Sequence, residues 1–142
     1  MRLIVGLGFI AHGMAKVGRG PEHFAGILAA LGLPMPDVLA WTTIIVELVG
    51  GAAVLIGVAI PLAAVPMAAV LAVAIVTVHL PNGFSSIKLQ SVDRTGAHFG
   101  QPGYETDALY LACLAALVVL GPGRLSLAAL FRRKAGVRGI SL

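Results

Sequence analysis

Few residues in this 142-residue chain can do chemistry, and their spacing gathers them. Glu47 stands about ten residues into an apolar stretch, roughly 15 Å along a helix and near the middle of a bilayer. A carboxylate at that depth costs on the order of 3 kcal/mol on insertion scales unless it is paired, protonated or solvated. Thr43, Gly50 and Gly51 share its helical face and form one small, polar stripe against which a second helix can close. Glu47 is therefore expected to face the interior of a helical bundle, either as a working carboxyl or as a polar lock between helices. Gly8, His12 and Lys16 follow one another at four-residue steps on a further helix face. Two uses are open to Lys16: its stem can snorkel to the membrane interface, or turn inward to reach Glu47 or Glu105. His79 closes a third apolar stretch, while Tyr104, Glu105 and Asp107 open a fourth that carries Tyr110.

These side chains make a chemical set. Imidazole and carboxyl groups hold and pass protons near neutral pH, and an ammonium stabilises developing negative charge. A phenol can hold a flat ring. Metal binding is not expected, because a Glu-x-x-His spacing is missing from every apolar stretch. No Gly-rich phosphate loop, nucleophile elbow or haem-attachment motif occurs.

The elements that must position this set are read from the apolar pattern. Spans are expected at about residues 2–17, 37–60, 61–80 and 104–120, an all-α, polytopic four-helix transmembrane bundle. The first is short for a span and must draw length from its flanks or from residues before Met1. A cleaved signal peptide competes with it, against the polar His12 and Lys16 in its second half. Between spans one and two, residues 24–31 suit a short interfacial helix in a Gly- and Pro-rich break. Pro66 is expected to bend the third span. Residues 81–103 read as a polar loop, and Gly121-Pro122-Gly123 stops the fourth span. Trp41, Phe84 and Phe99 are expected as interface anchors. The membrane domain then covers residues 1–127, and residues 128–142 form a basic tail.

Composition agrees with this plan. Hydrophobic residues make up 58% of the chain and charged residues 11%, before 18 glycines are counted. A soluble domain carries about 25% charged residues. A soluble enzyme, a disordered tail and a nucleic-acid domain are thereby excluded, despite a sequence pI of 9.9. The basic residues Arg124, Arg132, Arg133, Lys134 and Arg138 trail the last apolar stretch, as a cytoplasmic membrane flank does. With Arg2 they place both termini in the cytoplasm, opposite Lys16, Arg19, Lys88 and Arg94. Cys113 is the single cysteine, so the chain has neither an internal disulfide nor a Cys-x-x-Cys pair.

Taken in order, the motifs resemble the DoxX family of small bacterial membrane proteins. The matching pieces are Arg2-x-x-x-Gly6, His12-Gly13-x-x-Lys16, Phe24 and Gly32-Leu33-Pro34. They continue with Glu47-x-x-Gly50-Gly51, His79-x-x-x-Gly83-Phe84, Gly103-Tyr104-Glu105 and the Gly121-Pro122-Gly123 stop, covering nearly the whole chain to about Leu127. The resemblance implies an inner-membrane bundle tied to redox chemistry. Some relatives are described as thiosulfate–quinone oxidoreductase subunits, others as membrane partners of oxidative-stress and sulfur-handling enzymes. The family's polar core maps onto His12, Lys16, Glu47, His79 and Glu105, while Asp107 departs from the pattern, where a hydrophobe is usual.

Three functions stay open. The first is a subunit that binds a quinone, holds no covalently bound cofactor, and draws electrons from a partner oxidoreductase. There Glu47, His12 and His79 move protons, while Lys16, Thr43, Tyr104, Glu105, Asp107 and Tyr110 bind the quinone. The second is a non-catalytic scaffold that recruits redox enzymes, with Glu47, His12 and Lys16 as a structural network. The third is a small-molecule permease, which the absence of an evident internal repeat disfavours. Membrane lipid, a redox enzyme and a second copy of the chain are the candidate partners, and nucleic acid is not.

Overall fold

The computed structural model describes residues 1–123 and 126–129. Helix α1 runs Arg2–Arg19 and stops at Gly20, whose φ of 95° lies in the left-handed region that favours glycine. The short helix α2, Pro21–Ala30, follows at once. Helix α3 spans Pro36–Ile56 and α4 spans Ile60–Asn82. Proline stands in the first turn of α2, α3 and α4, where its missing N–H has no helical partner to lose. Helix α5 is Glu105–Leu120.

The α3–α4 turn is residues 57–59, three residues earlier than the turn expected at 60–61. Gly57 is left-handed at φ 74°, Val58 N–H reaches the Ala53 carbonyl at 2.9 Å, and Gly57 N–H reaches that of Val54 at 3.1 Å. That pairing is a Schellman close, which a glycine makes easily. Ala59 is also left-handed at φ 49° and leads into α4. Pro66 lies inside α4.

Two helices are long and apolar enough to cross a membrane: α3 with 21 residues and mean hydropathy 2.0, and α4 with 23 residues and mean hydropathy 2.3. Helix α1 carries Arg2, Lys16 and Arg19, and α5 has only 16 residues. The four long helices nevertheless share one core: Val5 and Phe9 of α1, Val54 of α3, Met67 and Leu71 of α4, and Leu114 and Leu117 of α5. Outward-facing positions are apolar too. Leu62, Val65 and Val119 are 78%, 72% and 81% exposed, an outer surface made for lipid rather than water.

The expectation of an all-α chain needs correction. Residues 81–103 contain an antiparallel hairpin, Leu89–Asp93 (β1) paired with Gly96–Phe99 (β2). Asp93 and Gly96 occupy the two ends of a four-residue turn that favours those types, and the Asp93 carboxylate accepts the Thr95 N–H at 2.7 Å. The strands have only five and four residues and are fully exposed, so no alternating apolar face announces them. The basic residues Arg124, Arg132, Arg133, Lys134 and Arg138 lie outside the described residues.

Candidate functional site

Glycine sets how closely the helices approach. A Cβ on Gly6 of α1 would lie 2.8 Å from the Gly51 carbonyl oxygen, and one on Gly51 of α3 would lie 2.9 Å from that of Gly6. Backbone therefore rests on backbone at this crossing. Gly13, two turns further along α1, faces Leu48 and Glu47, so the two helices run antiparallel.

The close crossing brings Lys16 to Glu47. The ammonium donates to both carboxylate oxygens, at 2.7 and 2.8 Å, and sits 5.0 Å from the centre of the Phe24 ring. Lys16 thus turns inward and pairs with Glu47, not Glu105. Side-chain exposure is 19% for Lys16 and 7% for Glu47, so the carboxylate depends on this partner more than the ammonium does.

Helix geometry at the site is unusual. Glu47 lies in a π-helical turn, Val46–Gly50, and His79 ends another, Ile75–His79. A π turn inserts a residue and rotates the helix beyond it, and such turns concentrate at working sites. The second one leads into a closing turn at Leu80–Asn82, where Pro81 offers no N–H. Side chains take over nearby carbonyls: Thr77 Oγ1 donates to Val73 at 2.8 Å, and Asn82 Nδ2 to Val78 at 3.1 Å.

His79 is oriented by the loop that precedes α5. Gly103 packs so tightly on Gly83 and Phe84 that no Cβ fits there. Its N–H donates to the Ser85 carbonyl at 2.9 Å, and the Tyr104 N–H to that of Gly83 at 3.1 Å. This docking presents the Pro102 carbonyl to His79 Nδ1 at 3.1 Å. A carbonyl can only accept, so Nδ1 carries the hydrogen. Nε2 then faces Asp107 Oδ2 across 3.7 Å, with a lone pair on neutral imidazole and a proton on imidazolium.

Both pairs open onto one cavity of about 280 Å³, walled by Phe9, His12, Lys16, Glu47, His79, Asp107 and Tyr110 among others. Tyr110 meets Phe9 edge to face, with ring centroids 5.5 Å apart, and its hydroxyl crowds Gly8, where no Cβ would fit. Among the described residues, no three His, Cys, Asp or Glu side chains stand together as metal ligands.

Three of the expected site residues stand elsewhere. Thr43 lines an apolar groove on the far side of Glu47. Tyr104 packs edge to face on Phe84, with centroids 5.5 Å apart. Glu105 accepts the Ser86 N–H at 2.9 Å and so clamps the loop. Neither Tyr104 nor Glu105 lines the cavity or the groove. Sequence reasoning passed over Phe9, Pro102 and Thr106, which do line the cavity. Only Pro102-Gly103 carried a signal, as a turn motif, and it gave no hint of the carbonyl that His79 uses.

The DoxX family model matches residues 1–80, more than half of the chain. That segment includes His12, Lys16, Glu47 and His79, and ends before Gly83-Phe84 and Gly103-Tyr104-Glu105. No curated protein and no solved structure matches the chain.

Proposed function

The chain belongs to the DoxX family, and from that premise we propose that it is an inner-membrane subunit of redox metabolism that binds a quinone ring in the cavity between α1, α3, α4 and α5. On this reading all four long helices cross the membrane and both termini are cytoplasmic. One observation carries it: the Lys16–Glu47 pair and the His79–Asp107 pair, drawn from four helices, face a single cavity of about 280 Å³. A space of that size suits one small ring system.

The residues present fit such a ring. Phe9 and Tyr110 offer aromatic edges and faces, and the two pairs offer charge and protons at the rim. A quinone supplies two-electron acceptor chemistry when bound, and a partner oxidoreductase in thiol, sulfur or oxidative-stress metabolism supplies the electrons. His79, held through Nδ1 by Pro102, directs Nε2, the atom that takes up or gives up a proton, toward the Asp107 side of the cavity. Lys16 stabilises negative charge that develops on a ring oxygen, while Glu47 retains or releases its ammonium partner. His12 lines the same cavity and offers a second imidazole. Apolar walls from Val70, Leu71 and Ala74 keep the site in a low dielectric, where each of these interactions is strengthened.

The test is a titration of the purified protein with a short-chain ubiquinone or menaquinone analogue, repeated with Glu47→Gln. Saturable binding to the wild type, weakened at least tenfold by the substitution, is expected. A second reading, a scaffold that recruits redox enzymes, is favoured by the completeness of the Lys16–Glu47 pair, whose carboxylate is satisfied within the protein. Absence of analogue binding together with a stable co-purifying oxidoreductase selects it.

A further inference from the structure

The cavity has a neighbour with which it shares a wall. Between α2, α3 and α4 lies a groove of about 460 Å³, whose lining is mostly aliphatic, with Ile27, Leu31, Leu39, Val46 and Val73 among its residues. Lys16, Glu47, Val70, Ala74 and His79 line both spaces. The ion pair and His79 therefore form a threshold between a polar chamber and an apolar channel. Helix α2 leaves the channel open: it packs on α3 through Ala25, Leu28 and Ala40. At the channel's rim Ile27 and Val73 are exposed, on a surface made of aliphatic side chains. Ala69 and Ala74 on α4 are small, which keeps its floor low.

We infer that this groove holds the hydrocarbon tail of the same ligand whose ring occupies the cavity, so that the substrate class is a prenyl-tailed quinone admitted sideways from the bilayer past Lys16 and Glu47. The inference rests on the quinone reading and adds its route and its tail. Continuity of the two spaces argues for one occupant with a polar head and an apolar chain rather than for two ligands. The tail gains little in transfer, because the bilayer is as apolar as the groove. Its value lies in holding the ring at the threshold in one orientation, and a branched chain that matches the groove does this better than a straight one.

The experiment compares three probes in nanodiscs: a ring-only benzoquinone, the same ring with two isoprene units, and the same ring with a straight ten-carbon chain. Each is titrated against wild type, Ala69→Trp and Val73→Trp, substitutions that fill the groove without touching the cavity lining. The isoprenoid probe is expected to bind wild type about tenfold more tightly than the ring alone. Both variants should erase that advantage while leaving ring-only binding intact, which also reports that they are folded. Retention of the advantage in both variants overturns the inference and leaves the quinone site standing. Equal affinity of the straight and branched chains overturns it too, and marks the groove as a seat for ordinary acyl chains. Failure of the ring-only probe to bind wild type removes the quinone reading and the tail site together.

Discussion

Lys16 and Glu47 differ in what they lose when the other is removed. Lys16→Met leaves a carboxylate that is 7% exposed with no cation, whereas Glu47→Leu leaves an ammonium that is 19% exposed on a long, flexible stem. The first change is expected to cost about 3–5 kcal/mol and the second less, because the freed ammonium can snorkel. Together they should recover most of the loss, since an apolar pair replaces an ion pair without a stranded charge. Thermal unfolding of the four proteins in detergent measures this cycle, and additive losses would refute a direct coupling. Glu47 was legible in the sequence as a lone charge deep in an apolar run. Its partner was legible only as one of several alternatives, because the stem of Lys16 can reach in more than one direction. Tyr104 and Glu105 looked like site residues for their chemistry alone. Their real contacts are fixed by the docking of Gly103 on Gly83, a tertiary event that no local spacing reports.

Among the elements, the apolar runs announced the long helices, and the prolines and glycines marked their starts and stops closely. The π-helical turns left no such mark, because one extra residue in a helix changes no composition. The hairpin was hidden for another reason, since two exposed strands bury nothing and so show no alternation. It is held instead by its turn. The Thr95 hydroxyl donates to Asp93 at 2.6 Å, the Thr95 N–H adds a bond at 2.7 Å, and the His98 ring lies 3.0 Å away. The hydroxyl bond first, then the amide and the ring, holds the Asp93 carboxyl below its ordinary value of 3.8. A carboxyl with a lowered folded-state value stabilises the turn at pH above the ordinary value, and that contribution fades as pH falls through the lowered one. Protection of the amides of β1 and β2, relative to the unfolded chain at the same pH, should therefore fall on acidification below about pH 4. Thr95→Val should move the onset upward, toward the unperturbed aspartate, and an unchanged onset would show that the turn does not depend on this bond.

For the whole molecule, the apolar exterior suits lipid, and the proposed reading extends it to the two helices that fall short in length or charge. Helix α1 can lend its ends: its 18 residues come close to the span of the hydrocarbon layer, and the exposed Arg19 can reach the interface. On that reading, four crossings would put both termini on one side and the hairpin on the other. A fluorescent protein fused behind Leu142 should light up in the cytoplasm, and alkaline phosphatase inserted at Arg94 should be active outside it. Loss of both signals would invert the bundle, and one signal without the other would remove one span.

Each widened turn is also a counting device. Loss of a single residue from Val46–Gly50 would let α3 close as an ordinary helix with its two halves facing as they do now, because the wider turn spends one more residue on nearly the same rotation. The span would still fit its bilayer. With Gly51 still seated on α1 and Thr43 still on its channel, the change would fall on the turn that carries Glu47, so the chain would keep its anchor while disturbing its threshold.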